Sequence, residues 1–141
     1  MSTPVAPQRT LPVPRSRLVL RALRRHCPQC GSGGYFVSWF KLALRCPRCG
    51  LASERVAGHF VGAVGVNTMV TFGLLLVALL GGTWALYPEV RFLPLVAICG
   101  TVALATPVLF WPFSQTLWTA ADLAMRPATE SELDPRYTDQ F

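Results

Sequence analysis

The sequence predicts a small β-rich ribbon closed by four cysteines, followed by an antiparallel hairpin of two transmembrane helices. Three observations predict it. Two copies of a CPxCG motif, Cys27-Pro28-Gln29-Cys30-Gly31 and Cys46-Pro47-Arg48-Cys49-Gly50, are separated by 15 residues. Two long stretches without Lys, Arg, Asp or Glu follow, and only Tyr87-Pro88-Glu89-Val90-Arg91 lies between them. Finally, just 14% of the 141 residues are charged, against about 25% in soluble domains. The division expected is a lead-in over residues 1–22, a ribbon over 23–55, a membrane hairpin over 56–125 and a loose, polar tail over 126–141.

The lead-in carries Pro4, Pro7, Pro12 and Pro14 and has no apolar core of the kind a secretory signal needs. It reads as disordered or extended. Residues 15–25, RSRLVLRALRR, set Leu18, Val19, Leu20, Ala22 and Leu23 among five arginines. Two readings stand open for this stretch: a basic amphipathic helix on an anionic membrane surface, or an arm packed on the ribbon.

The ribbon follows from cysteine geometry. A gap of two residues lets both sulfurs of one knuckle face one ion, and glycine after the second cysteine permits a left-handed backbone there. Two such knuckles complete a tetrahedron, so Cys27, Cys30, Cys46 and Cys49 are the expected ligands and Zn2+ the expected ion. Iron uses the same ligand set. Disulfides would require an oxidising compartment, and a redox CxxC would require a βαβ pattern that the sequence lacks. In a module this short, metal binding supplies on the order of 10 kcal/mol of folding energy. A four-thiolate shell leaves no water on the ion, so the site is structural. Between the knuckles, Tyr35-Phe36-Val37-Ser38-Trp39-Phe40 and Lys41-Leu42-Ala43-Leu44-Arg45 favour strands.

The spans are placed at residues 60–87 and 92–113, each long enough for the roughly 20 residues a crossing requires. The short turn makes them antiparallel neighbours. Ten of the thirteen Lys and Arg residues precede the hairpin and Arg91 alone sits in its turn. The positive-inside bias therefore places both termini in the cytoplasm, with the plasma membrane as the location. Trp84, Tyr87 and Phe92 are expected at one interface, Trp111 and Trp118 towards the other.

Gly58, Gly62 and Gly65 are expected to let the helices approach, facing Ala97, Gly100, Ala103 and Ala105. A second reading pairs Asn67 with His59 as a polar partner site. His59 alone reads as an interfacial residue and Cys99 as a small packing residue of the second span.

These features together resemble the uncharacterised bacterial membrane zinc-ribbon family catalogued as domain of unknown function 983. The resemblance rests on the CPxCG pair, Lys41-Leu42, Cys49-Gly50-Leu51 ahead of the membrane segment, and the hairpin with Pro112 near its end, over about residues 23–125. Many members carry Gly-Asp-Gly where this chain has Gly58-His59-Phe60, so a carboxylate's role does not carry over. The resemblance implies at most an accessory role near respiratory oxidase assembly.

The function expected is a non-enzymatic membrane accessory or assembly protein whose ribbon docks a membrane-protein partner. The spans hold no carboxylate, and no Ser/His/Asp or Cys/His constellation stands apart from the metal ligands. A membrane-bound metal or redox handler working through Cys99 or His59 is the alternative. A nucleic-acid-binding ribbon ranks last, because its basic residues already serve orientation and Tyr35, Trp39 and Phe40 are needed as ribbon core.

Overall fold

The computed structural model describes residues 9–138. Its elements are β1 (Thr10–Leu11), α1 (Arg15–Leu23), β2 (Phe36–Ser38), β3 (Lys41–Leu42), α2 (His59–Ala85), α3 (Phe92–Met125), β4 (Ala128–Thr129), a 3-10 turn (Glu130–Glu132) and α4 (Pro135–Thr138). The expectation of disorder in residues 1–8 lies outside the described residues.

Each helix has a local cause. Pro14 is the N-cap of α1, where its fixed φ suits a helix start. Gly58 takes a left-handed φ of 85° to turn the chain out of the ribbon and into α2. The two long helices then follow from composition: both are long and apolar enough to cross a membrane. At 1.5 Å per residue, the 27 residues of α2 extend about 40 Å and the 34 of α3 about 51 Å.

α3 runs as one helix through Pro107 and Pro112, although each proline leaves a carbonyl one turn back without its amide donor. Pro112 has no N–H for the Val108 carbonyl, and the Trp39 indole supplies one at 3.0 Å from the ribbon. At the same level, Asn67 Nδ2 of α2 donates to the Pro107 carbonyl at 3.1 Å. The distal half of α3 is a different kind of helix. Ser114, Gln115, Thr116, Thr119, Ala120, Asp122 and Leu123 are buried there, because α1, the ribbon and the tail pack around it.

The expected glycine contacts are corrected by register. Residues equidistant from the turn face each other in an antiparallel pair, so the start of α2 meets the end of α3, not residues 97–105. A Cβ on Gly62 would lie 1.9 Å from Trp118 Cε2, whereas Gly65 and Gly100 have nothing within 4 Å. Near the turn, Gly82 meets Leu95. The turn itself contains a cis Tyr87–Pro88 bond.

The lead-in and the tail also differ from expectation. β1 and β4 pair antiparallel, Thr10 with Thr129 and Leu11 with Ala128. Leu18 and Ala22 of α1 join Ala128, Leu133 and Tyr137 of the tail in one core with Tyr35, Leu51, Leu123 and three of the cysteines. Of the two readings for residues 15–25, packing on the folded end is the one observed. The loose tail is not observed over residues 127–137: Leu133 and Tyr137 are apolar anchors in a polar segment, and burying them holds it down.

Candidate metal centre

The two knuckles are built alike. The Gly31 N–H donates to the Cys27 carbonyl at 2.8 Å and the Gly50 N–H to the Cys46 carbonyl at 3.0 Å. Both glycines have a φ of 74°. Each loop is closed by one more backbone bond, Cys27 N–H to the Ser32 carbonyl and Cys46 N–H to the Leu51 carbonyl.

Each knuckle is then clamped from outside. Arg21 of α1 donates through Nη1 to the Gln29 carbonyl at 2.6 Å and lies against Gly31, where a Cβ would come within 2.8 Å of its Nε. On the other knuckle the Asp134 N–H of the tail donates to the Cys49 carbonyl at 2.8 Å, and a Cβ on Gly50 would meet that same nitrogen at 2.8 Å. Helix α1 and the tail thus serve as two halves of a vice around the cysteines.

The four expected sulfurs are brought together. Cys27 and Cys49 Sγ lie 3.7 Å apart, Cys30 and Cys46 Sγ 3.6 Å apart, and all four lie within 4.8 Å of one another. A tetrahedral ion with metal–sulfur bonds of about 2.3 Å requires sulfur separations of about 3.8 Å. The donor set therefore fits one tetrahedral ion. Sulfurs this close cannot all be charged by themselves. The contact with Cys27 holds Cys30 down to about 6 and Cys46 well below the thiol range. Cys27 is pushed up by its bond with Cys30; Cys49, lowered by Cys27, is pushed up on balance by Cys30 and Cys46. A divalent cation removes this conflict by stabilising four thiolates together. The Ser32 hydroxyl lies 3.1 Å from Cys30 Sγ and 3.3 Å from Cys46 Sγ, so it can donate to either thiolate.

Cys99, His59 and Asn67 stand apart from the cluster. Cys99 lies about 30 Å along α3 from Ala120, which packs in the core with the cysteine ligands. His59 Nε2 is 3.3 Å from the Thr119 hydroxyl, while Asn67 serves the Pro107 carbonyl, so the two polar residues have separate partners. Tyr35 is fully buried, and burial pushes its phenol up to about 12. The Trp39 ring lies under the Arg25 guanidinium at 4.6 Å. Trp39 and Phe40 are 40% and 56% exposed, so of the three aromatic residues expected in the ribbon core only Tyr35 lies there.

One charged cluster has no sequence signature. Arg55, between ribbon and α2, donates Nη1 to Asp122 Oδ2 at 2.6 Å and to the Arg126 carbonyl at 3.0 Å, while its Nη2 lies 3.1 Å from Glu132 Oε2. The side chains of Arg55 and Asp122 are 6% and 4% exposed. Desolvation raises the Glu132 carboxyl, but the Thr129 N–H and Arg55 outweigh it and hold the group below its usual range. This clasp joins the ribbon, the end of α3 and the tail. The partners are 67 and 77 residues apart, which no local pattern signals.

Against known proteins, the chain matches no family model, no curated protein and no solved structure.

Proposed function

We propose that the protein is a non-enzymatic integral membrane accessory or assembly protein, anchored by α2 and α3, whose zinc ribbon docks a membrane-protein partner. One observation carries the reading: the four-cysteine cluster is built as one unit with the distal half of α3, so any partner gripping the ribbon is gripping the membrane anchor. Zinc is the proposed ion, on the spacing of the ligands. A closed thiolate shell has no open position for chemistry, which favours recognition over catalysis.

Support for the membrane comes from exposure. Met69, Phe72, Leu93 and Leu104 are among the large apolar residues open to the surroundings on α2 and α3, and such faces suit lipid. The charge bias favours both termini in the cytoplasm of a plasma-membrane protein. Docking is supported by the outer side of the ribbon, where Leu44 is 88% exposed beside the exposed Arg45 and Arg48. An apolar contact ringed by base suits an acidic partner surface. The motif combination supports membership of domain of unknown function 983, and through it a place in respiratory oxidase biogenesis.

The metal or redox alternative is less well served. Its two named participants, Cys99 and His59, are not grouped with the four sulfurs. Affinity purification of the tagged full chain from native membranes, followed by mass spectrometry, tests the docking reading. A specific partner is expected with the wild type and lost with Cys46→Ser. Recovery of the wild type with no specific partner would refute docking.

A further inference from the structure

Packing against α3 uses one face of α1 and leaves another open. The helix runs back along α3: Pro14 and Arg15 stand beside Leu123, Ala124 and Pro127, and the Thr116 hydroxyl lies 2.9 Å from the Ala22 carbonyl. The last turn of α1 therefore points towards the spans. Leu18 and Ala22 are buried in the core, whereas Val19, Leu20 and Leu23 are 47%, 50% and 52% exposed. At about 3.6 residues per turn these three fall within about 100° of one another. Arg17 and Arg24, both exposed, border that arc.

The corner that follows carries a cation to the end of the span. Arg25 takes a left-handed φ of 59°, and its guanidinium lies over Trp39 at 4.6 Å and Phe36 at 5.3 Å. The Trp39 indole donates in turn to the Val108 carbonyl, inside the span placed at residues 92–113. A guanidinium stacked on an indole at that level suits the belt where lipid phosphates lie. Among the described residues no carboxylate pairs with Arg15, Arg17, Arg24 or Arg25.

We infer that the open face of α1, with Arg24 and Arg25 at its end, rests on the anionic phospholipid surface of the membrane that α2 and α3 cross. Leu20 and Leu23 enter the acyl boundary, and the two guanidinium groups meet lipid phosphates. The charge selects the lipid: four arginines without carboxylates gain from a net negative surface and little from a zwitterionic one. Continuity selects a membrane over an acidic protein, because the apolar arc ends at the corner that touches the span through Trp39. Since α1 also carries Arg21, the clamp on the first knuckle, this contact ties the ribbon to the lipid beneath it. The inference rests on the membrane reading proposed above.

The test uses the full chain with its metal, incorporated into nanodiscs of phosphatidylcholine alone or of phosphatidylcholine and phosphatidylglycerol in equal parts. Phenylglyoxal modifies accessible guanidinium groups, and peptide mass spectrometry reads each arginine separately. Arg24 and Arg25 are expected to be labelled about fivefold more slowly in the anionic bilayer, the scale of about 1 kcal/mol for one arginine at such a surface. Arg45 and Arg48, on the outer side of the ribbon, are expected to be labelled alike in both. Leu20→Ser and Leu23→Ser together, at exposed positions, are expected to remove most of the protection. Equal labelling of Arg24 and Arg25 in the two bilayers overturns the inference and leaves this face to an acidic protein. Equal protection of all four arginines also overturns it, as attraction of charge alone, and so does protection unchanged in the serine variant. Recovery of the wild type as soluble protein outside the nanodiscs would instead refute the membrane reading, and this inference with it.

Discussion

The ribbon end of the molecule and the turn end of its hairpin treat apolar residues in opposite ways. At the ribbon end, Leu18, Tyr35, Leu51, Leu123 and Leu133 are buried together with the cysteines. Along α2 only Ala63 and Asn67 are buried, and Trp84, Tyr87, Phe92 and Leu93 at the turn are open. The first pattern is how a chain hides from water. The second suits a chain whose surroundings are themselves apolar. The contrast extends to what holds each end: sulfurs, ion pairs and backbone bonds at one, and close helix packing at the other.

The largest expected effect separates the two ends. Cys46→Ser, or stripping the metal with a strong chelator, removes folding energy on the order of 10 kcal/mol from the ribbon end, which shares its core with the distal half of α3. Limited proteolysis should then cut within residues 9–55, while circular dichroism retains the signal of α2 and α3. Collapse of the helical signal along with the ribbon would show that the ends are not distinct.

Next in size is the clasp. Arg55→Met leaves the buried Asp122 carboxylate with only the more distant Arg126 Nε, at 3.7 Å, to pair it, so the cost should approach but not exceed the roughly 3–5 kcal/mol of breaking a buried pair. Thermal unfolding in detergent should drop accordingly, and the tail should become protease-sensitive first. Glu132→Gln should cost under about 1 kcal/mol, since that side chain is 35% exposed.

These two sites also mark what was legible in the sequence. The cysteine cluster could be read because all its information is local: two knuckles, each with its glycine. The two long helices could be read because each is apolar over its whole length, long enough to cross a membrane. The clasp could not, since Arg55, Asp122 and Glu132 are ordinary charges until the fold brings them together. The tail was misjudged for a related reason: Leu133 and Tyr137 lie among polar residues, and their burial depends on α1 and the second knuckle. Glycine pairing failed on register alone, which the turn at residues 86–91 fixes once its length is counted.

Within the hairpin the expected effects are smaller. Gly62→Ala drives a methyl into Trp118 and should cost about 1–3 kcal/mol, whereas Gly65→Ala meets open space and should be neutral or slightly stabilising. Unfolding curves of the two variants, measured side by side, separate a packing glycine from an incidental one. Equal effects would refute the register described for α2 and α3.

The smallest effect tests the seam between the two ends. Trp39→Phe removes the donor to the Val108 carbonyl and should cost about 1 kcal/mol. With Pro112→Ala the helix regains its own amide donor to that carbonyl, so the same substitution should cost less. A double-mutant cycle measures the coupling. Strict additivity would mean that the indole does not replace the missing proline N–H.

The central claim is a metal-bound ribbon fixed to a membrane hairpin, and one measurement meets it most directly. The full chain is extracted from carbonate-washed membranes, purified in detergent, and its metal-to-protein ratio determined by elemental analysis. The account predicts one zinc per chain in the membrane-extracted protein. A chain that stays in the membrane with no stoichiometric metal, or one that the wash releases, would contradict it.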